Sequence, residues 1–340
     1  MTSSEDEYWL QEPHGSSDAA DEGNEVKSVS SGCLGKVSRE PNATFRKQVV
    51  YKKMLTIVVP VYRQWQMVEK LLECLRGQTL PVDRFRIVLV NNEQDFDASG
   101  FVKGNVEVLE CRTPGSYAAR NLAVDRWIDE THWFVFTDAD CQPENDWLEQ
   151  LSAAIDDCGE DPGLISGDVV MVPSEPHPGW AEIYDLVKGI PQREYADRGF
   201  GATANLAVAA DVFRHVGAFD AAAFSGGDRL FCLKARRHGY ALKYQPLARV
   251  HHPARSGFDE VLRKTCRVRG GQITRSRGWK RWARIAYALA PPLLPLKRLW
   301  CRRDQPRRYR LIAGVIQCRL WMAEMPEIYR ILKGGPAERR

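Results

Sequence analysis

Trp133-Phe134-Val135-Phe136-Thr137-Asp138-Ala139-Asp140-Cys141 is the stretch on which the reading of this 340-residue chain turns. Five aromatic and β-branched residues run straight into two carboxylates. Side chains of that kind fill a buried central strand. The Asp-Ala-Asp then falls at the strand's carboxyl end, where open α/β sheets bind their ligands. One residue separates the two carboxylates, so both can reach a single divalent cation if the chain leaves extended geometry there. Oxygen ligands suit Mg²⁺ or Mn²⁺, with a diphosphate filling the remaining positions. Placement is what distinguishes this triplet, because Asp-x-Asp arises by chance about once in a chain of this size. Asp95-Phe96-Asp97 is an internal control, with the same spacing but in a polar loop several residues past its strand.

Working outward, Leu55 to Val59, closed by Pro60, predicts a buried parallel strand. Val68, Leu71, Leu72 and Leu75 stand at i, i+3, i+4 and i+7 within Gln64 to Gln78, which predicts a helix with one face on a sheet. Phe85 to Val90, Val106 to Leu109 and Leu164 to Val172 read as further strands. A helix N-capped by Ser116 is expected to run to Ile128, and another from Glu144 to Asp157. This alternation predicts an α/β fold whose mostly parallel central sheet is covered by helices. Past Pro173 the pattern loosens. Gly199 to Asn205 is a loop poor in large side chains, which lets backbone approach a ligand. Asp211 to Val216 reads as a short helix, and Gly226-Gly227-Asp228 opens another that stops at Gly239. Asp228 is thereby placed where the helix N-terminus favours an ionised carboxylate. Ala241 to Tyr244 and Arg249 to His251 are expected as two short strands.

Three regions follow. Residues 1–48 are acidic, rich in Ser and Gly and without periodicity, and are expected to be disordered. Residues 54–255 form the α/β domain. Residues 256–340 read as a basic, amphipathic helical appendage: a basic helix from Phe258 to Trp282, an apolar run from Ile285 to Leu296 broken by Pro291, Pro292 and Pro295, and a helix from Arg310 to Leu332. The net charge of +4 is thus split between an acidic start and a basic end able to meet an anionic surface. No apolar run reaches the ~20 residues that span a bilayer, and no basic segment followed by an apolar core opens the chain. The nine cysteines form no Cys-x-x-Cys pair, so reduced thiols in a cytoplasmic protein are expected. The basic end carries no nucleic-acid recognition motif.

The order of motifs resembles the inverting family 2 glycosyltransferases, which have a GT-A fold. It begins with Val59-Pro60-Val61-Tyr62 and Asn91-Asn92, then Gly115-Ser116-Tyr117-Ala118-Ala119-Arg120-Asn121. Asp138-Ala139-Asp140, Gly201 to Asn205, Gly217-Ala218-Phe219-Asp220, Gly227-Asp228 and His251-His252-Pro253-Ala254-Arg255 follow. Each is weak alone, but eight in order over residues 54–255 are specific. The resemblance implies a nucleoside diphosphate sugar donor and a saccharide or lipid-linked saccharide acceptor. It implies that Pro60, Tyr62, Asn91 and Arg120 line the base and ribose side. Asp138 would face ribose and metal, with Asp140 the main metal ligand. Asn205 would lie toward sugar and acceptor, Asp228 would be the general base, and His252 a third metal or diphosphate contact, with His251 the alternative. Two positions depart from the family. Asn91 stands where Asp is common, and Gly227 where Glu usually precedes the catalytic Asp. The Gln-x-x-Arg-Trp motif of processive members is missing, which points to addition of one or a few sugars.

Other classes fit less well. A sugar nucleotidyltransferase or a dinucleotide oxidoreductase would place a Gly-rich loop after the first strand, and Val61-Tyr62-Arg63-Gln64-Trp65 has no glycine. A degenerate, sugar-binding scaffold would not need Asp138, Asp140 and Asp228 together. For Ile285 to Leu296, flanked by Trp282 and Trp300, two readings stand open: it packs on the catalytic domain, or it lies in the headgroup layer at the inner face of an anionic membrane.

Overall fold

The structure, a computed structural model, describes residues 53–335 other than 160, 162 and 224. The acidic segment 1–48, expected to be disordered, lies outside the described residues. Eight strands make one sheet: β1 (Leu55–Val61), β2 (Phe85–Asn91), β3 (Val106–Glu110), β4 (Trp133–Thr137), β5 (Gln142–Pro143), β6 (Leu164–Val172), β7 (Asn205–Ala209) and β8 (Leu242–Pro253). Their order is β3-β2-β1-β4-β7-β6-β8-β5. The first half is parallel, with β1 between β2 and β4 and β3 outside β2. Every residue of β4 is buried, as its continuous apolar run requires of a strand covered on both faces. Helices α1 (Trp65–Arg76), α2 (Ser116–Trp127) and α3 (Trp147–Asp156) occur where the periodicity predicted them.

The second half departs from simple alternation. Helices α4 (Trp180–Lys188) and α5 (Gln192–Asp197), not expected from the sequence, carry the chain so that β7 enters antiparallel to both β4 and β6. Asn205 therefore starts its strand opposite Thr137, beside the end of β4. The two short strands expected between 241 and 251 are one strand, β8, with a register shift: Gly167 pairs with Gln245 but Asp168 with Arg249. Such a bulge leaves backbone groups without ladder partners. Helices α6 (Ala210–Val216) and α7 (Gly227–Arg237) follow β7. Ser116 does not cap α2. Gly115 does, at φ +118°, a left-handed value that a glycine adopts without strain.

The C-terminal end forms α8 (Phe258–Arg275), α9 (Trp279–Leu289), α10 (Leu293–Trp300), α11 (Arg307–Ala323) and α12 (Met325–Leu332). The single basic helix expected from 258 to 282 is broken at Gly278, whose φ is +56°. The expected 310–332 helix is likewise two, with Pro326 in the first turn of the second. These helices have their own apolar cluster, in which Val261, Leu299, Ile316 and Leu320 pack on Ile183, Tyr184 and Val187 of α4. Burying a side chain of that size stabilises by about 1.5–3 kcal/mol. The Tyr184 hydroxyl also donates to Gln317 Oε1 at 3.0 Å. The division drawn at 255 therefore crosses a packed interface through α4.

Candidate active site

A cavity of about 580 Å³ opens at the carboxyl ends of β1 and β4. Pro60, Tyr62, Asn92, Gly115 and Ser116 line it, together with Asp138, Asp140 and His252 and with the cations Arg255, Arg263, Lys264 and Arg267. Arg63, at φ +57°, turns the chain from β1 into α1. A left-handed non-glycine residue costs about 1–3 kcal/mol, and such strain clusters at functional sites.

The two carboxylates of the Asp-Ala-Asp have different surroundings. Asp138 Oδ1 accepts from Arg120 Nη2 at 2.6 Å, and Arg120 is buried. Asp140 Oδ2 accepts from Gln64 Nε2 at 3.2 Å. Its Oδ1 is buried without a hydrogen-bond partner and lies 3.7 Å from His252 Nε2. His252 is buried, and its Nδ1 is 2.9 Å from the Pro253 carbonyl. Nδ1 donates there, so in the neutral tautomer the Nε2 lone pair faces Asp140. A carboxylate oxygen without a partner, facing an imidazole whose orientation a carbonyl sets, is a donor set that fits a divalent cation. Cys141 Sγ completes a group of ligand atoms within 4.8 Å of one another. Burial, with the charges of Asp138 and Asp140, pushes this thiol well above its ordinary pKa. Thiolate sulfur is a soft ligand, so Asp140 and His252 are the pair suited to a hard cation. Alternation along β8 separates the two histidines: His252 is buried toward Asp140, and His251 Nε2 is 3.2 Å from Glu144 Oε1. The control triplet behaves as expected of a loop, with Asp95 and Asp97 exposed and Asp97 Oδ1 accepting from the Ser99 N–H.

Asp228 is the second residue of α7, half-buried, and outside the cavity lining. Its Oδ1 accepts from the Arg229 N–H at 2.8 Å and its Oδ2 from the Thr203 N–H at 3.4 Å. Burial raises its pKa, against the opposing pull of these bonds, Arg120 and Tyr117. Tyr117 ties the start of α7 to α2: its ring lies beside Arg120 and its hydroxyl accepts from the Gly227 N–H.

Two residues expected at the donor are turned inward. Asn91 Nδ2 donates to the Phe96 carbonyl and to Glu110, while its Oδ1 accepts from the Glu93 N–H. Its neighbour Asn92 lines the cavity instead, and holds Gly115 through a 2.8 Å bond from the Gly115 N–H. Asn205 is fully buried. Its Nδ2 donates to the Asp168 and Ala248 carbonyls at the β6–β8 bulge, and its Oδ1 accepts from Trp147 Nε1. That amide supplies partners that the broken ladder lacks. Sequence reading gave no role to Gln64, Tyr117 or the cations of α8. Glu260, Arg263, Lys264 and Arg267 stand at i, i+3, i+4 and i+7, a visible charged face whose default reading is a solvated surface.

Residues 56–185 match the family model described as Glycosyl transferase family 2. The glycosyltransferase AglE of Haloferax volcanii is 32% identical over 228 residues, 64% of this chain and 73% of that one. A pre-mycofactocin glycosyltransferase of Mycobacterium tuberculosis is 26% identical over 222 residues, and there the match spans 45% of the relative's length. Among solved structures, a mannosyltransferase of Pyrobaculum calidifontis in complex with GDP-Man and Mn²⁺ superposes with a TM-score of 0.52. It covers 82% of this chain and 88% of that one at 16% identity, a likeness of fold. The chain belongs to the family 2 glycosyltransferases and is a glycosyltransferase with the GT-A fold.

Proposed function

We propose that this enzyme is a metal-dependent, inverting transferase. It moves one sugar from a nucleoside diphosphate sugar to an acceptor hydroxyl, in cell-surface polysaccharide or glycolipid synthesis at the inner face of a membrane. The observation that carries the reading is the unpartnered Asp140 Oδ1 facing His252 Nε2 beside Asp138, at the end of β4. Pro60, Tyr62 and Asn92 form the neutral wall for the nucleoside. Asp140 and His252 would hold Mg²⁺ or Mn²⁺, which would supply positive charge against the departing diphosphate. Arg120 holds Asp138 in place and keeps its charge compensated. The acceptor oxygen attacks the anomeric carbon as the bond to the diphosphate breaks. The hydroxyl proton passes to the Asp228 carboxylate. One displacement inverts the anomeric centre, so an α-linked donor gives a β-linked product. The solved mannosyltransferase with GDP-Man and Mn²⁺ supports this class of donor and ion.

The test is transfer and donor hydrolysis with and without chelator, using a panel of nucleoside diphosphate sugars and the Asp140→Ala variant. Chelation should abolish turnover, and Mg²⁺ or Mn²⁺ should restore it. Asp140→Ala should be inactive while folded, and Asp95→Ala should match wild type. Full turnover in excess EDTA would remove the metal, and retained configuration by NMR would remove the single displacement.

A further inference from the structure

A second cavity, a groove of about 380 Å³, opens between α10 and α11 and shares no lining residue with the first. Leu296, Lys297, Trp300, Arg310, Leu311 and Gly314 line it. Gly314 stands in the middle of α11, where a glycine weakens a helix relative to alanine. An alanine would fit there, since its Cβ would lie 3.5 Å from Leu296 Cδ2, an ordinary contact. Packing of α10 on α11 therefore does not demand the glycine, and its bare backbone helps to open the groove. Arg310 Nη1 donates to the Trp300 carbonyl at 2.8 Å, and the guanidinium stands 5.1 Å from the centroid of the Trp300 ring. Its Nε is buried and has no hydrogen-bond partner. A buried guanidinium nitrogen without an acceptor is costly unless a ligand provides one.

Charge and polarity together select the occupant. Eleven Lys and Arg fall between residues 279 and 323 against one acid, Asp304. Arg302 holds that acid at 3.1 Å. Leu293, Trp300 and Leu311 are exposed on the same two helices. A neutral lipid would leave Lys297 and Arg310 without a counter-charge. A free phosphate would leave Leu296, Leu311 and the Trp300 ring in water, and an acidic peptide would meet the charge but not these apolar side chains. An amphiphile whose anion adjoins hydrocarbon satisfies both. Indole rings among basic residues are also what the headgroup layer of a membrane favours.

We propose that the α10–α11 groove binds the phosphodiester of an anionic phospholipid. Arg310 and Lys297 take the phosphate oxygens, while Leu296, Leu311 and the backbone at Gly314 meet the glycerol and the first acyl carbons. The inference rests on the membrane location proposed above and adds to it a defined headgroup site, separate from the donor cavity.

The test is calorimetric titration of the full chain with dihexanoyl phosphatidylglycerol below its micellar concentration, beside dihexanoyl phosphatidylcholine, glycerol 3-phosphate and poly-glutamate. Phosphatidylglycerol should bind wild type more tightly than the other three. Arg310→Gln should weaken it about tenfold or more. Gly314→Leu, which fills the groove and leaves the charge unchanged, should do the same. Arg307→Gln, which removes an equal charge outside the groove lining, should change it by less than about twofold. Flotation with vesicles of phosphatidylcholine and phosphatidylglycerol should rank the variants in the same order. Equal affinity for glycerol 3-phosphate would make this a site for free phosphate, and equal affinity for the two lipids would remove the recognition of charge. Poly-glutamate binding that Gly314→Leu abolishes would make the partner an acidic peptide. Each of these overturns the proposal, as does unchanged phosphatidylglycerol affinity in Arg310→Gln. Flotation that no groove variant weakens would overturn the groove and leave the membrane location standing, whereas a wild type that binds neither short lipid nor vesicle overturns both. If Gly314→Leu does not fold, Lys297→Gln on the exposed edge of the groove reads the same affinity, and no change there overturns the proposal.

Discussion

Tyr117 packs its ring directly on the backbone of Gly227. A Cβ at 227 would come within 2.7 Å of Tyr117 Cε2, and the Tyr117 hydroxyl accepts the Gly227 N–H at 3.0 Å. This contact explains the glycine that stands where the family usually has Glu. Helix α7 begins against the side of α2, and Asp228 follows one residue later. Position 227 sets where that carboxylate projects.

Gly227→Ala should therefore push Tyr117 or α7 aside, at a cost of about 1–3 kcal/mol. Turnover should fall more than donor affinity, because the shift falls on Asp228. Tyr117→Phe keeps the ring but removes the acceptor, and should cost about 1 kcal/mol. Denaturant melts and steady-state kinetics check both. Wild-type stability in Gly227→Ala would mean the ring moves freely.

Asp228→Asn should lower turnover about 10²-fold or more while donor binding holds. Burial raises the Asp228 pKa, so the active carboxylate form should be lost at a higher pH than an ordinary Asp would give. The acid limb of the wild-type pH–rate profile should lie correspondingly high. The same raised value means that its favourable contribution to folding is present below the unfolded pKa and lost as pH rises through the folded one. Asp228→Asn should thus melt no lower than wild type at neutral pH. Near-normal turnover would move the base elsewhere, with Asp220 the next to try.

Burial and the neighbouring Arg255 bring Lys264 down to a pKa of about 7, against the attraction of Asp185. At about pH 8 the free site then holds it mostly uncharged, and a bound diphosphate favours the ammonium form. Nucleoside diphosphate binding should take up protons at about pH 8 and almost none at about pH 6, where Lys264 is already charged. Titrations in two buffers of different ionisation enthalpy read this directly. Lys264→Met should abolish the uptake, and equal uptake in the variant would assign it to another group.

Of the C-terminal helices, one side packs inward, Ile285 with Ile273 and Ile331, and the other is exposed. Ile285, Ala288 and Leu299 pack inward, while Trp279 and Trp282, each 66% exposed, Leu293, Trp300 and Leu311 face outward among Arg and Lys. No helix among the described residues is long and apolar enough to cross a bilayer. An outward aromatic and basic surface suits an anionic membrane face, at about 1 kcal/mol per cation near it. Flotation with anionic liposomes should be strong for wild type and reduced by Trp279→Ser with Trp282→Ser. Substitution is used rather than truncation because α8 contributes lining residues to the cavity. Equal flotation of wild type and double variant would rule this surface out.

What the sequence determined by itself is whatever local pattern encodes. The apolar run of β4 ending in Asp138 and Asp140, the periodicity of α1 and the alternation that makes the sheet were legible because burial of a strand or helix face is written in neighbouring residues. Family motifs brought Pro60, Tyr62, Arg120 and His252 into view. Tertiary structure decided where polar side chains point. Asn91 fits its motif but bonds the Phe96 carbonyl and the Glu110 carboxylate, and Asn205 turns to the Asp168 and Ala248 carbonyls beside the register shift at Gly167 and Asp168. His252 rather than His251 meets Asp140, because the register of β8 in the sheet selects one face of an alternating strand. The charged stripe on α8 is indistinguishable from a solvated face in sequence. It becomes a cavity wall because Val261, on the same helix, packs in the cluster that joins α4 to α11. Such placements depend on contacts between residues far apart in the chain, and local periodicity carries no record of them.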